Sequence, residues 1–174
     1  MKLKALGATY MRRAIMVLLI YFAYIIQCTY LPRTGITIPV MLIIPVVFSV
    51  SMFEKEIPGM LMGLFAGALW DMASPLPDGT LALMFAVLCC ITSLFTRYLI
   101  RNTLLGALTV NAAASVIFTI PSVISIIGDM DYNMLSGVIL GKYIPGIIIT
   151  LLITPPCYFA VRKISLRLRH DTAA

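Results

Sequence analysis

A chain of 174 residues in which 61% are hydrophobic and only 11% are charged cannot fold as a soluble domain without exposing large apolar patches. The mean hydropathy of +1.02 agrees with this, and the apolar residues form runs of membrane-spanning length. The net charge of +6 does not indicate nucleic-acid binding, because the cations form short clusters at the ends of the apolar runs. Composition therefore predicts an α-helical membrane protein.

Six membrane-spanning helices are predicted from the apolar runs, and the connections between them are very short. Their approximate limits are Ala14 to Tyr30, Ile36 to Phe53, Ile57 to Ser74, Thr80 to Thr96, Thr103 to Ile127 and Met134 to Val161. Short connections force successive helices to run antiparallel. The expected fold is therefore all-α, a compact bundle of six transmembrane helices that forms one domain over residues 1–174.

The distribution of Lys and Arg predicts the orientation of this bundle. Of the 13 cations, 11 fall on the side that holds both termini, and the other side receives only Arg33 and Lys142. By the positive-inside rule, both termini are expected in the cytoplasm.

The third predicted span carries glycine at a regular interval. Gly59, Gly63 and Gly67 are four residues apart, and Asp71 continues the same step. Each step of four turns about 40° around a helix, so the four residues lie on one stripe about 120° wide. Such a stripe forms a groove into which another helix can pack closely, as in the small-xxx-small pattern of membrane proteins. We expect this stripe to serve helix packing or the binding of a partner's transmembrane helix.

Asp71 is predicted to lie about 21 Å along a hydrocarbon layer about 30 Å thick, in its outer third. A carboxylate at this depth is costly unless it faces protein or water and finds a partner. We expect an ion pair with Arg33 or Lys142, or hydrogen bonds from Ser74 and from the backbone of the turn at 75–79. Helix packing, a proton or solute site, and a partner contact are the alternative roles for this carboxylate.

These residues resemble the family of the rod shape-determining protein MreD. The resemblance rests on Gln27, on Pro39, on the block Gly-x-x-x-Gly-Ala-Leu-Trp-Asp-x-x-Ser from Gly63 to Ser74, and on Gly79. It extends over essentially the whole chain, and the third-span block is its specific part. The turn Pro75-Leu-Pro77-Asp78 departs from the family pattern. We expect structural or loop roles for Gln27, Pro39, Ser74, Asp78 and Gly79.

The same resemblance implies a non-catalytic subunit of the bacterial cell-wall elongation complex in the cytoplasmic membrane. Such a subunit is expected to bind the bitopic protein MreC and to act beside MreB, the polymerase RodA and a class B penicillin-binding transpeptidase. Because the loops leave little surface outside the bilayer, the partner is expected to bind along the glycine stripe or at the basic inner ends of the helices.

The sequence predicts no enzymatic activity, no metal and no cofactor. The sole histidine, His170, lies in the polar tail, and the four cysteines lack Cys-x-x-Cys spacing. Glu54 and Glu56 flank Lys55 and are interpreted as a solvated charged loop. The basic tail from Arg162 to Arg169 is interpreted as a topology anchor, and recruitment of anionic lipid or of a filament protein is the alternative.

A small-solute carrier is the main alternative function. The substrate-binding membrane component of energy-coupling-factor transporters resembles this chain in size, in its six spans and in its richness in small residues. That component usually carries a small-xxx-small pattern in its first span, whereas the first span here is bulky throughout. The polar residues available for a solute pocket are few, namely Gln27, Asp71, Asp78, Asn111 and Asp129.

Overall fold

The computed structural model describes residues 2–33, 41–73, 79–98, 103–127, 141 and 143–170, which form six helices with no strand among them. The helices are α1 (Lys2–Arg33), α2 (Ile43–Phe53), α3 (Glu56–Asp71), α4 (Thr80–Tyr98), α5 (Leu104–Ile127) and α6 (Ile144–His170). The predicted all-α fold is confirmed in the described part of the chain.

Three of the described helices contain segments that are long and apolar enough to cross a membrane. These segments are Tyr10–Thr29 in α1, Thr80–Tyr98 in α4 and Ile144–Arg167 in α6. Helix α2 is apolar but has only 11 residues, which correspond to about 16 Å. Helix α6 continues past the predicted end of the sixth span because neither Gly nor Pro interrupts the chain from 161 to 170. The structure is thus compatible with a membrane protein.

One end of the bundle, called the charged end below, brings together the first third of α1, the end of α2, the starts of α3 and α5, and the later parts of α4 and α6. The ion pairs of Glu54 and Glu56, together with one apolar cluster, make these contacts. The residues that define the charged end are Arg12, Glu54, Glu56, Arg97, Leu104 and Tyr158. Each helix therefore runs opposite to the one before it. The opposite end of the bundle is called the far end.

Helix α2 lies at the centre of the bundle. Every residue from Ile43 to Met52 is buried, and α2 contacts all five other described helices. A helix that is apolar on all sides is expected to be buried in this way. Phe48 of α2 belongs to a ring cluster with Trp70, Phe85 and Phe118, in which the Phe85 and Phe118 centroids lie 4.2 Å apart. This ring cluster joins α2, α3, α4 and α5.

Candidate functional site

Asp71 is the last residue of α3 and is buried at the far end of the bundle. Its Oδ2 accepts hydrogen bonds from the amides of Gly79 at 3.1 Å and Ala82 at 3.0 Å. Its Oδ1 accepts one from the amide of Leu81 at 3.0 Å. The first-turn amides of a helix have no intrahelical acceptor. Asp71 of α3 therefore caps the N-terminus of α4.

An external cap is needed here because the residue before α4 has no side chain that could serve. Gly79 precedes the first residue of α4 and adopts a φ of +88°, which glycine does at no steric cost. The carboxylate of Asp71 also lies at the positive end of the α4 dipole. These hydrogen bonds give the amides acceptors, and amides without an acceptor are costly in lipid. Asp71 thus organises the hairpin formed by α3 and α4.

Backbone hydrogen bonds from the turn after α3 were among the expected partners of Asp71, and Gly79 is the residue of that turn whose placement is described. Other expected partners and loop residues lie outside the described side chains, namely Arg33, Pro39, Ser74, Asp78 and Lys142. An ion pair between Asp71 and one of the two cations therefore stays a prediction.

The glycine stripe of α3 packs against α4 of the same chain. A Cβ atom added at Gly67 would lie 2.5 Å from the Cα of Ala82 and 2.6 Å from the carbonyl oxygen of Leu81. A Cβ added at Gly63 would lie 2.7 Å from the carbonyl oxygen of Phe85. Only glycine allows the two helix backbones to approach this closely.

The close contact with another helix that is expected along this stripe is thus made within the chain, by α4, which leaves no room on the stripe for a partner's helix. Gly59, Gly63 and Gly67 are all buried. The physical reason is connectivity: the few residues between α3 and α4 keep α4 beside α3 at a high effective concentration.

Gly59 occupies the part of the stripe nearest the charged end. A Cβ added there would lie 2.5 Å from Ser93 Oγ of α4. That hydroxyl donates a 2.8 Å hydrogen bond to the backbone carbonyl of Ser51 in α2. The absence of a side chain at Gly59 therefore leaves room for a polar contact between α4 and α2.

The N-terminus of α2 is also capped by other helices. Gln27 Oε1 of α1 accepts a 2.9 Å hydrogen bond from the amide of Ile43, the first residue of α2. Thr150 Oγ1 of α6 accepts one from the amide of Met41 at 3.2 Å. The sequence does not predict this role of Thr150, because no pattern around a threonine in an apolar run distinguishes a helix-capping hydroxyl from a lipid-facing one.

Glu54 is buried at the charged end, with a side chain that is 1% exposed. Its Oε1 accepts a hydrogen bond from Arg12 Nη2, and its Oε2 lies 3.8 Å from Arg13 Nε. The interpretation of Glu54 as part of a solvated loop is therefore wrong. Helix α1 begins well before its apolar run and carries both arginines to the end of α2. The signal available in the sequence was one carboxylate and two arginines predicted on the same side of the membrane.

Glu56 and Arg97 form a second, more open ion pair at the charged end. Their Oε1 and Nη1 atoms lie 2.6 Å apart, and the side chains are 26% and 57% exposed, respectively. The backbone amide of Glu56 itself and the guanidinium of Arg97 lower the pKa of the Glu56 carboxyl below its ordinary value. Pairs this exposed contribute little to stability.

Replacement of Glu54 should therefore destabilise the protein more than replacement of Glu56. We expect Glu54→Gln to lower the free energy of unfolding by about 2 kcal/mol, because two partly buried guanidinium groups lose their counter-charge. The matched control, Glu56→Gln, should leave it nearly unchanged. Unfolding of the purified protein by sodium dodecyl sulfate, followed by circular dichroism, measures both. Equal losses in the two variants would contradict a structural role that is special to Glu54.

The described residues line two apolar grooves on the surface of the bundle. The α1–α6 groove has a volume of about 390 Å³ and lies between α1, α2 and α6, with Phe22 and Pro156 among its lining residues. The α4–α5 groove has a volume of about 220 Å³ and lies between α2, α4 and α5, with Phe95 and Ala113 among its lining residues. Both grooves are lined almost entirely by apolar side chains.

Of the polar residues considered for a solute pocket, the three that the structure describes, Gln27, Asp71 and Asn111, line neither of these two grooves. Gln27 and Asp71 cap helices. Asn111 is buried in α5 and donates to a carbonyl one turn earlier, and its Oδ1 has no hydrogen-bond partner among the described residues. Asp78 and Asp129 lie outside the described part of the chain. These two grooves therefore contain no polar pocket built from this set.

Within the described ranges, no group of three or more His, Cys, Asp or Glu side chains could hold a metal ion. Comparison with protein-family models, with curated proteins and with solved structures gives no match to this chain. The described part of the chain has two chemically distinct ends. It is a helical bundle fastened by helix caps at the far end and by ion pairs at the charged end, with two apolar grooves on its surface.

Proposed function

We propose that the chain is a non-catalytic membrane subunit of the bacterial cell-wall elongation complex, similar to MreD, that binds the transmembrane helix of an MreC-like partner. The observation that carries the proposal is the capped α3–α4 hairpin. Residues of the most specific block of the resemblance have defined structural roles. Gly63 and Gly67 allow α4 to pack closely against α3, and Asp71 caps α4. A closely packed bundle of this kind suits a subunit that presents a surface to a partner.

The proposed subunit crosses the cytoplasmic membrane six times, with both termini in the cytoplasm. The alternating direction of the six helices supports this topology. The excess of Lys and Arg on the side of the termini supports the orientation. Helix α2 is shorter than a lipid-exposed span needs to be, but it is surrounded by other helices and so requires no lipid contact along its length.

Thr109 and Ala113 on α5 mark the surface where we expect the partner helix to bind. The two residues are four positions apart and exposed, and Ala113 lines the α4–α5 groove. Small side chains at this spacing allow a second helix to approach closely. The hydroxyl of Thr109 donates to the carbonyl of Gly106 at 3.0 Å, so it adds no unsatisfied polar group to the contact.

A bulky side chain on this surface should prevent partner binding without unfolding the bundle. We expect Ala113→Trp to reduce co-purification of a bitopic coiled-coil partner by about tenfold, because an indole at the centre of the contact keeps the helices apart. The matched control is Leu152→Trp, at an exposed apolar position of α6. Equal losses in both variants, or no loss in either, would contradict this location of the partner helix.

Depletion of the protein in its own host tests the function. Rounding and lysis of rod-shaped cells are the expected result for a subunit of the elongation complex. Rescue of the depleted cells by an added vitamin would instead support a solute carrier. Tight binding of a vitamin-sized molecule by the purified protein would overturn the scaffold proposal.

A further inference from the structure

The α1–α6 groove runs along the surface of two helices that are candidate membrane spans. Its walls include Leu19, Phe22 and Ile26 of α1 and Ile153, Pro156 and Ala160 of α6. Because α1 and α6 run in opposite directions, Leu19 and Ala160 lie at the end of the groove nearer the charged end. From Leu19 to Ile26 the groove extends over eight residues, a rise of about 10 Å along α1. It is therefore an elongated apolar slot that faces the hydrocarbon layer.

Basic residues continue both walls of the groove towards the charged end. Arg12 precedes Leu19 by seven residues, which is two helical turns, and so lies on the same face of α1. Lys163 and Arg167 follow Ala160 by three and seven residues and share its face of α6. Both of these α6 side chains are exposed. The groove thus has a mouth where cations from two helices converge.

The charge at this mouth is not balanced by the described acidic residues. Arg12 and Arg13 share the single carboxylate of Glu54, which leaves one positive charge in excess. Neither Lys163 nor Arg167 takes part in any of the ion pairs found among the described residues. An anion held at this place would therefore meet uncompensated positive charge.

We propose that the α1–α6 groove binds an acyl chain of an anionic phospholipid whose phosphate is held by Lys163 and Arg167, with Arg12 nearby. The apolar walls match a hydrocarbon chain, and basic side chains between helix ends match an anionic headgroup. A zwitterionic lipid offers the same chain without net charge, and a partner's helix would leave the basic mouth unused. The charge pattern therefore selects the anionic lipid. The inference depends on α1 and α6 lying in a bilayer and is independent of the cell-wall function.

Quenching of a tryptophan in the groove by lipids with brominated acyl chains tests this proposal. Trp70→Phe removes the single tryptophan of the chain, and Phe22→Trp then introduces a reporter on the groove wall. A control protein carries Leu83→Trp instead, on the exposed face of α4. Each protein is reconstituted in phosphatidylcholine with a small fraction of brominated phosphatidylglycerol or of brominated phosphatidylcholine.

At the groove reporter, we expect the relative association constant of phosphatidylglycerol to exceed that of phosphatidylcholine by about fivefold or more. At the control reporter, the two lipids should quench equally. Adding Lys163→Gln and Arg167→Gln to the groove-reporter protein should remove most of the preference. Helicity and elution volume should stay unchanged, because both side chains are exposed.

Three results would overturn the proposal. Equal quenching of the groove reporter by the two lipids would make the groove an ordinary lipid-facing surface. A preference that survives Lys163→Gln with Arg167→Gln would place the headgroup elsewhere. Quenching by neither lipid would mean that another occupant, such as a second copy of the chain or a partner's helix, covers the groove.

Discussion

Replacing Asp71 with alanine is expected to lower the free energy of unfolding by about 3–5 kcal/mol and to loosen α4 from α3. Three amides at the start of α4 lose their acceptor at once, and hydrogen bonds to charged groups are worth about 1.5–3 kcal/mol each. The three losses are not independent, because one side chain makes all three bonds. A single helix cap contributes about 0.5–2 kcal/mol, so the expected loss lies above that of a lone cap and below the sum of three separate bonds.

Asp71→Asn separates the charge of this cap from its hydrogen bonds. Its amide oxygen can still accept from Gly79 and Ala82 as Oδ2 does, whereas the amide of Leu81 then meets an NH₂ group, which is a second donor. We therefore expect Asp71→Asn to lower the free energy of unfolding, but by less than Asp71→Ala does. The control is Met72→Ala, at the neighbouring exposed position.

Unfolding in sodium dodecyl sulfate, together with hydrogen exchange in the first turn of α4, checks these expectations. In Asp71→Ala the amides of Leu81 and Ala82 should exchange faster, and in Met72→Ala they should not. If Asp71→Ala and Met72→Ala unfold at the same detergent concentration, the cap is not what stabilises the hairpin. The proton, solute and partner roles of Asp71 would then become the leading hypotheses.

Hydropathy predicted where the helices lie but not where they end. Apolar runs of membrane length are a strong signal, and each of the six described helices overlaps one of them. Helix α1, however, begins at Lys2 and not near Ala14, because the basic segment before the apolar run is also helical. This extension brings Arg12 to Glu54. Hydropathy marks where a helix leaves lipid, and a helix can continue beyond that point.

The glycine stripe shows a second limit of what the sequence alone can predict. The spacing of Gly59, Gly63 and Gly67 predicts that they share a face and that this face meets a helix. It does not say which helix. The short connection after α3 holds α4 beside the stripe. A separate partner would have to compete with α4 at a much lower effective concentration. The partner surface consequently moves to another part of the bundle, and the exposed small residues of α5 are its proposed location.

The polar residues of the far end share one physical task. In water, the first amides of α2 and α4 could bond to solvent, but in lipid they need acceptors from the protein. Gln27 and Thr150 supply them at the start of α2, and Asp71 supplies them for α4. Each cap comes from a different helix and so fixes two helices relative to one another. Sequence could show that Asp71 needs a partner, but the particular amides depend on how α3 and α4 cross.

Gly67→Ala is expected to be the most damaging addition of a single methyl group to the stripe. The new Cβ would meet the Cα of Ala82 at 2.5 Å and its amide nitrogen at 2.8 Å. These are backbone atoms, which can yield only if α4 moves as a whole. Overpacking usually costs about 1–3 kcal/mol, and a shift of α4 would also strain its hydrogen bonds to Asp71. We therefore expect a loss of about 3 kcal/mol in the free energy of unfolding.

Two glycine variants provide a graded control for this prediction. At Gly59 the added Cβ would meet Ser93 Oγ, which can rotate away with the loss of one hydrogen bond worth about 1 kcal/mol. At Gly141 it would meet no atom within 4 Å, so no steric loss is expected. If Gly67→Ala and Gly141→Ala unfold alike, the close approach of α3 and α4 is wrong. The close approach of α3 and α4 and the Asp71 cap should depend on each other, because either substitution alone already separates α4 from α3. The double variant Gly67→Ala with Asp71→Ala should therefore lose less free energy of unfolding than the sum of the two single losses.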